Sequence, residues 1–253
     1  MKKVFRTILL NRELNKKMLA VLIDPEKCKG SLLVKTVAAL KTNTPDLVFV
    51  GGSLCSKSSE SLIEVLKEEV RANIVLFPGN TSQFAPNADA MLFMSLISGR
   101  NPDYLIGQQV NAAMTVKASG IETIPTGYIL IEGEKQSAVE YISNTRPIPA
   151  DKGDIVLATA IAGELLGMRA IYLEAGSGAD TPVPTQLIRH IANSIELPLI
   201  VGGGIRQKEQ MIDVFEAGAD IVVVGTYFEE APHEIPDFVS AVAEYSEKLT
   251  EEE

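Results

Sequence analysis

The sequence predicts a parallel (β/α)8 TIM barrel, and three observations predict it. The chain has 253 residues, close to the roughly 250 typical of such barrels. Eight short apolar runs recur along it, at Leu19–Ile23, Leu47–Val50, Ile74–Phe77, Ala88–Phe93, Ile124–Ile131, Ala170–Leu173, Leu199–Val201 and Ile221–Val224. Each is continuous instead of alternating, the pattern of strands buried on both faces. Between most of them lie stretches with apolar residues at i, i+3 and i+4, as in Leu32–Leu40, Leu62–Val70, Tyr104–Ala118, Ile155–Leu166, Gln186–Ser194 and Gln210–Ala217. A doubly wound open sheet uses the same elements, but the regular cadence and the length favour closure.

One connection departs from the cadence. Pro78 to Asn87 reads PGNTSQFAPN, and two prolines with a glycine leave no room for the helix that should follow the third strand. The barrel wall is therefore expected to be uncovered there, either as a lateral slot lined by apolar strand faces or as a gap closed by a neighbouring chain. The two readings are compatible. Residues 132–150 are polar with two prolines and read as a long loop after the fifth strand. No composition shift, linker or obvious repeat divides the chain, so residues 1–253 are expected to form a single domain, with a frayed acidic tail over about 249–253.

Composition excludes several classes of function. Hydrophobic residues make up 46% and charged residues 22%, which argues against wholesale disorder. No uncharged apolar stretch approaches the roughly 20 residues of a membrane span. Arg6 and Arg12 interrupt the apolar start of the chain, so it does not read as a signal peptide. Cys28 and Cys55 are too few for a disulfide framework, which points to a reducing cytoplasm. Of the net charge of −10, −8 falls on Glu229–Glu253, +5 on the first seventeen residues and −7 on the rest. Such a chain has no general attraction for nucleic acid. The basic N-terminus reads as a solvated helix packed on the domain, with transient contact to an anionic membrane surface as the alternative.

Chemistry in such a barrel belongs at the C-terminal ends of the strands. The first strand runs into Asp24-Pro25-Glu26-Lys27, where Asp24 can hold a cation, position a substrate, or simply form a turn beside Pro25. The second ends Gly51-Gly52-Ser53. The sixth runs into Tyr172-Leu173-Glu174-Ala175-Gly176-Ser177-Gly178-Ala179, the seventh into Gly202-Gly203-Gly204-Ile205-Arg206, and the eighth into Gly225-Thr226. Glycine-rich turns followed by helix starts present backbone N–H groups and a positive dipole end to an anion, which suits a phosphate group. Glu174 would repel that phosphate, so its expected task is to accept hydrogen bonds from a substrate hydroxyl or to act as a general base. Its structural alternative is an ion pair with Arg206 or Lys27. His190 and His233 stand in helical and acidic surroundings that suggest no catalytic role, and neither a zinc signature nor a nucleophile with its base is visible. The remaining electrophile is a hard cation at Asp24, Mg2+ completed by waters and substrate phosphates.

Taken in order, these segments resemble the geranylgeranylglyceryl phosphate synthase family, which includes heptaprenylglyceryl phosphate synthases. The likeness runs from about residue 15 to residue 240, and the run Tyr172–Gly178 is its most diagnostic part. The resemblance implies a Mg2+-dependent transfer of a polyprenyl group from its diphosphate to the 3-hydroxyl of sn-glycerol 1-phosphate. It implies a metal site at Asp24 and Ser53. It also implies a glycerol-phosphate site at Tyr172, Glu174, Ala175, Gly176, Ser177, Gly178, Gly203, Gly204, Gly225 and Thr226, and a barrel without its third helix. Asp24 and Glu174 are then the catalytic candidates, and the prenyl tail would run along the uncovered slot. Glu26 stands where the family commonly has aspartate, and Thr226 where some members have asparagine, which bears on subgroup and chain length more than on the reaction. An uncovered apolar wall also suggests a homo-oligomer. Two other readings use the same loops: a sugar-phosphate isomerase of the histidine- or tryptophan-biosynthesis type, pairing Asp24 with Glu132, and a non-catalytic phosphometabolite-binding barrel.

Overall fold

The structure, a computed structural model, describes residues 3–54 and 58–251. Helix α1 (Lys3–Glu13) precedes strand β1 (Met18–Ile23), which is followed by α2 (Gly30–Thr42), β2 (Leu47–Val50), α3 (Glu60–Glu69) and β3 (Asn73–Leu76). After β3 comes only a 3-10 turn at Thr81–Gln83 before β4 (Ala90–Leu96). A π-helical turn (Asp103–Gly107) leads into α4 (Gln108–Ser119), then β5 (Glu122–Leu130), α5 (Ala138–Ser143), α6 (Gly153–Leu165), β6 (Ala170–Glu174), α7 (Thr185–Ala192) and β7 (Leu199–Gly202). The chain closes with α8 (Lys208–Glu216), β8 (Ile221–Val224), α9 (Thr226–Glu230) and α10 (Ile235–Glu251).

The strands form a closed barrel in the order β1 to β8, so the continuous apolar runs are explained as staves buried on both faces. The connection after β3 carries no α-helix, as its prolines dictate. Three details differ from the sequence expectation. The stretch 132–150 contains α5, nucleated by the Ser137 side chain accepting from the Glu140 N–H. The expected helix from Tyr104 begins as a π-turn, a local widening that often marks functional segments. Helix α10 continues through Lys248 to Glu251, leaving Glu252 and Glu253 outside the described residues.

The chain divides into two compact units. One takes Met1–Leu92, Ala112–Thr123 and Val224–Glu253; the other takes Phe93–Asn111 and Ile124–Val223. In the first, β1 pairs in parallel with β2, Ala20 opposite Leu47 and Ile23 opposite Val50, and β2 with β3, Val50 opposite Leu76. Leu19, Ala20, Val21, Val48, Val50, Ile74, Val75 and Leu76 are wholly buried there. Helix α1 packs Val4, Phe5 and Ile8 inward, and its first N–H groups are taken by the buried Glu122 carboxylate, at 2.9 Å from both Val4 and Phe5. An acidic group at that end suits both the unpaired donors and the helix dipole.

In the second unit β5 pairs with β6, Thr126 opposite Ala170 and Leu130 opposite Glu174, and β6 with β7, Glu174 opposite Gly202. The register therefore sets the ends of β5, β6 and β7 side by side, with Glu174 in the middle.

A small device recurs where strands begin. Asp46, immediately before β2, accepts the Leu19 N–H of β1 at 3.0 Å; Asp89, before β4, accepts Ile74 of β3 at 2.8 Å; Asp220, before β8, accepts Leu199 of β7 at 2.8 Å. Before β6 stands Arg169, whose backbone N–H donates to Pro125 O at 2.7 Å.

Candidate active site

In the first unit the residue after β1 is Asp24. Its carbonyl accepts the Lys27 and Cys28 N–H groups at 3.2 and 2.8 Å, and its Oδ1 accepts the Glu26 N–H at 2.8 Å. The carboxylate is thus held by the turn it forms, as Asx-turns do, so the turn reading and the functional reading describe one geometry. Oδ2 has no hydrogen-bond donor among the described residues; its nearest charge is Lys27 Nζ at 3.8 Å. That ammonium is engaged more closely by Glu229 of α9, at 3.2 Å from Oε1 and 3.0 Å from Oε2.

The end of β2 is built against this carboxylate. A Cβ on Gly52 would lie 2.9 Å from Asp24 Oδ2 and 3.0 Å from its Cγ, so any side chain there would displace the Asp24 carboxylate. The Gly52 peptide is gripped by Gln83, which accepts its N–H at 3.2 Å and donates to its carbonyl at 2.7 Å. Gln83 is fully buried and belongs to the 3-10 turn that stands where the third helix would be. The Ser53 hydroxyl, half-buried, has no partner among the described residues. Gly225 packs on Leu22 and precedes α9, whose first residue is Thr226. Cys55 lies outside the described residues, and Cys28 is buried, its thiol pushed up by desolvation.

In the second unit Glu174 ends β6 and is buried. One carboxylate oxygen accepts the Gly176 N–H at 2.7 Å, and the hydroxyls of Tyr172 and Tyr128 donate to the same group. The two tyrosine rings stack at 5.1 Å. Desolvation pushes the Glu174 carboxyl up, and these hydrogen bonds oppose the shift. Both phenols are raised well above their ordinary value by burial and by the adjacent carboxylate. The partners of Glu174 among the described residues are the neutral donors of this cage, where the sequence offered an ion pair as the alternative. Glycines make the cage tight: a Cβ on Gly203, at φ +87°, would lie 2.6 Å from Glu174 Oε1, and one on Gly204 would lie 2.1 Å from Thr181 O. Ala175 and Gly176 are buried beside them, whereas Ser177 and Gly178 are exposed.

Two members of these arrangements escaped sequence reasoning. Tyr128 carried a signal, a hydroxyl-tipped residue in an otherwise aliphatic strand. Gln83 carried none, since a polar residue in a polar loop reads as solvated. His190 and Glu132 are exposed. A cavity of about 770 Å3 opens beyond β4, edged by Arg100 and Arg146; Arg100 donates to the carbonyls of its own loop, Ile97 and Gly99. No cluster of three or more His, Cys, Asp or Glu residues suited to a metal occurs among the described residues.

A closed parallel barrel with a carboxylate turn after its first strand and glycine-built loops after its sixth and seventh has the architecture of the TIM-barrel enzymes, a class in which these loops frequently hold a phosphate group. Within that class the PcrB family pattern matches residues 12–244, and the chain belongs to this family. It is 46% identical over 231 residues to the geranylgeranylglyceryl phosphate synthase of Flavobacterium johnsoniae, covering 91% of this chain and 95% of that one. It is 43% identical over 241 residues to the synthase of the same name from Chitinophaga pinensis, covering 95% and 96%. The crystal structure of (S)-3-O-geranylgeranylglyceryl phosphate synthase from Thermoplasma acidophilum in complex with its substrate sn-glycerol-1-phosphate superimposes with a TM-score of 0.84 at 32% identity, covering 94% of this chain and 99% of that one.

Proposed function

We propose that this protein is a prenyltransferase that joins a polyprenyl group, geranylgeranyl by preference, to the 3-hydroxyl of sn-glycerol 1-phosphate and releases diphosphate. The observation that carries the reading is Glu174: a buried carboxylate held by two tyrosine hydroxyls and one backbone N–H, in a chain whose relatives bear the synthase name. In the reaction the glycerol O3–carbon bond forms as the allylic carbon–oxygen bond to diphosphate breaks, and the hydroxyl proton passes to Glu174. A carboxyl whose proton affinity is raised by burial is better matched to that transfer near neutral pH than a solvated one.

Within the second unit the acceptor phosphate is assigned to Ser177, Gly203 and Gly204, and the glycerol hydroxyls to Glu174 and Tyr172, with Ala175, Gly176 and Gly178 shaping the loop. Backbone donors suit this task because they carry no counterion and cost no side-chain entropy.

The reading places Mg2+ at Asp24 and Ser53. The donor set fits a hard cation, a carboxylate oxygen without a hydrogen bond and a hydroxyl without a partner among the described residues, one protein charge being typical when substrate phosphates complete the shell. When bound, the ion would supply charge neutralisation for the departing diphosphate. Asp24 holds its position through the Glu26 N–H, and Gly52 leaves the room.

The test is a product assay with geranylgeranyl diphosphate, sn-glycerol 1-phosphate and Mg2+, scored for the ether product and for diphosphate. Formation of both, with sn-glycerol 3-phosphate a poor acceptor, is the expected result. Binding of sn-glycerol 1-phosphate without turnover of any prenyl diphosphate would leave a phosphometabolite-binding barrel instead.

A further inference from the structure

The Lys27–Glu229 ion pair beside Asp24 has no part in the reaction as proposed, yet it bears on the proposed metal site. Lys27 stands three residues after Asp24, and its Nζ is 3.8 Å from the one carboxylate oxygen left without a hydrogen bond. An ammonium at that oxygen and a divalent cation at that oxygen exclude one another, since both claim the same lone pairs and repel. The ammonium does not close to hydrogen-bonding distance. It lies 3.0 and 3.2 Å from the two oxygens of Glu229, a side chain only 18% exposed that projects from α9, shortly after Thr226 and the end of β8. Lys27 itself is 49% exposed, so the pair adds little to stability and is free to serve another purpose. Glu26 pairs with Lys29 at 2.7 Å, and Asp24 and Glu229 are the carboxylates within 4 Å of the Lys27 ammonium among the described residues.

We infer that Glu229 is a positioning residue which draws the Lys27 ammonium off Asp24 and so keeps Oδ2 open for the cation. The inference rests on the reading of Asp24 as a metal ligand and adds a residue to it. Two carboxylate oxygens at hydrogen-bonding distance outcompete one at 3.8 Å; remove their charge and Lys27 turns to Asp24. Glu229 thus acts on the metal through Lys27, not by ligating it.

The experiment is a double-substitution cycle read by direct Mn2+ binding, using electron paramagnetic resonance of free Mn2+ with the full chain and inorganic diphosphate, with Mg2+-dependence of turnover alongside. Glu229→Gln should weaken Mn2+ binding about three- to fivefold, the effect of a competing partly exposed charge. The same substitution in a Lys27→Met background should have no effect, and Lys27→Met alone should bind Mn2+ at least as well as the native chain. A Glu229→Gln loss that persists in the Lys27→Met background would mean that Glu229 attracts the cation directly, and would overturn the inference. Native binding in Glu229→Gln would overturn it as well. Asp24→Asn separates the two levels: if it abolishes Mn2+ binding while Glu229→Gln does nothing, only the positioning role fails, and if it too binds normally the metal reading fails with it.

Discussion

Glu174 combines two costs at one residue. Burial raises its carboxyl above the ordinary glutamate value, and the Gly176 N–H and two tyrosine hydroxyls only partly compensate. Because the folded-state value is raised, the associated stability is present in full below the ordinary carboxylate range and is lost as pH rises through the shifted value. The ionised form, which the proposed proton acceptor requires, is therefore the form whose burial costs stability. Glu174→Gln should separate the two effects. Turnover should fall about 10^2- to 10^4-fold, the range for removal of a general base, whereas the thermal midpoint at neutral pH should rise, because the amide still accepts from Gly176 without burying a charge. The pH–rate profile of the native enzyme should show an acidic limb above that of a solvated glutamate, and the variant should lack it. A limb at the ordinary position would show that Glu174 only orients the glycerol. Glu174 was legible as a candidate because a carboxylate next to glycine-rich turns needs an explanation. Tyr128 was not singled out, because its partner lies 46 residues on, and only the register of β5 against β6 brings them together.

At the scale of elements, the connection after β3 shows what prolines determine and what they leave open. Their presence excluded a helix, and none forms. They did not indicate what occupies the space. The 3-10 turn inserts Gln83, whose amide satisfies both polar groups of the Gly52 peptide, and Gly52 in turn abuts Asp24. The loop is therefore a clamp on the rim that carries Asp24 as well as an interruption of the helical cover. Gln83→Ala leaves two peptide groups without partners, at about 1–3 kcal/mol each if they remain dry, and Gln83→Met should lose as much even though it restores the volume. Both should lower the thermal midpoint by several degrees and raise the Mg2+ concentration needed for half-maximal turnover. If Gln83→Met matched the native chain in both measurements, volume and not hydrogen bonding would be the contribution of this residue. The π-turn before α4 and the short helix α5 were illegible for a different reason. Each is set by tertiary contacts, such as the Asn101 amide donating to the Ser143 carbonyl, that leave no periodic trace.

Across the whole molecule, the candidate site residues and the aspartates that anchor strands stand at opposite strand ends. Asp24, Gly52, Glu174, Gly203 and Gly225 stand at or just after the ends of their strands, whereas Asp46, Asp89 and Asp220 all precede theirs, and in such barrels the ends where strands begin carry stability. No repeat is obvious in the sequence, yet an aspartate stands before β2, β4 and β8 and bonds to the strand before it. The recurrence was hidden because its members are single residues separated by unequal spacers, and because Arg169 breaks it before β6. Asp220 tests the division. It is 7% exposed and bonds to Leu199 N, itself in a fully buried strand. Asp220→Ala leaves that N–H unpaired, at about 1–3 kcal/mol, and for a chain of this size about 2–4 °C in thermal midpoint follows from each kcal/mol. Asp220→Asn should recover much of the loss, since its carbonyl oxygen can still accept. The kcat/KM of folded Asp220→Ala should stay within about twofold of native, because the proposed site stands at the other end of β7. A loss of kcat/KM larger than the lost folded fraction explains would mean that the register of β7, and through it the Gly203 loop, is set from the strand's beginning, and the separation of the two ends would not hold.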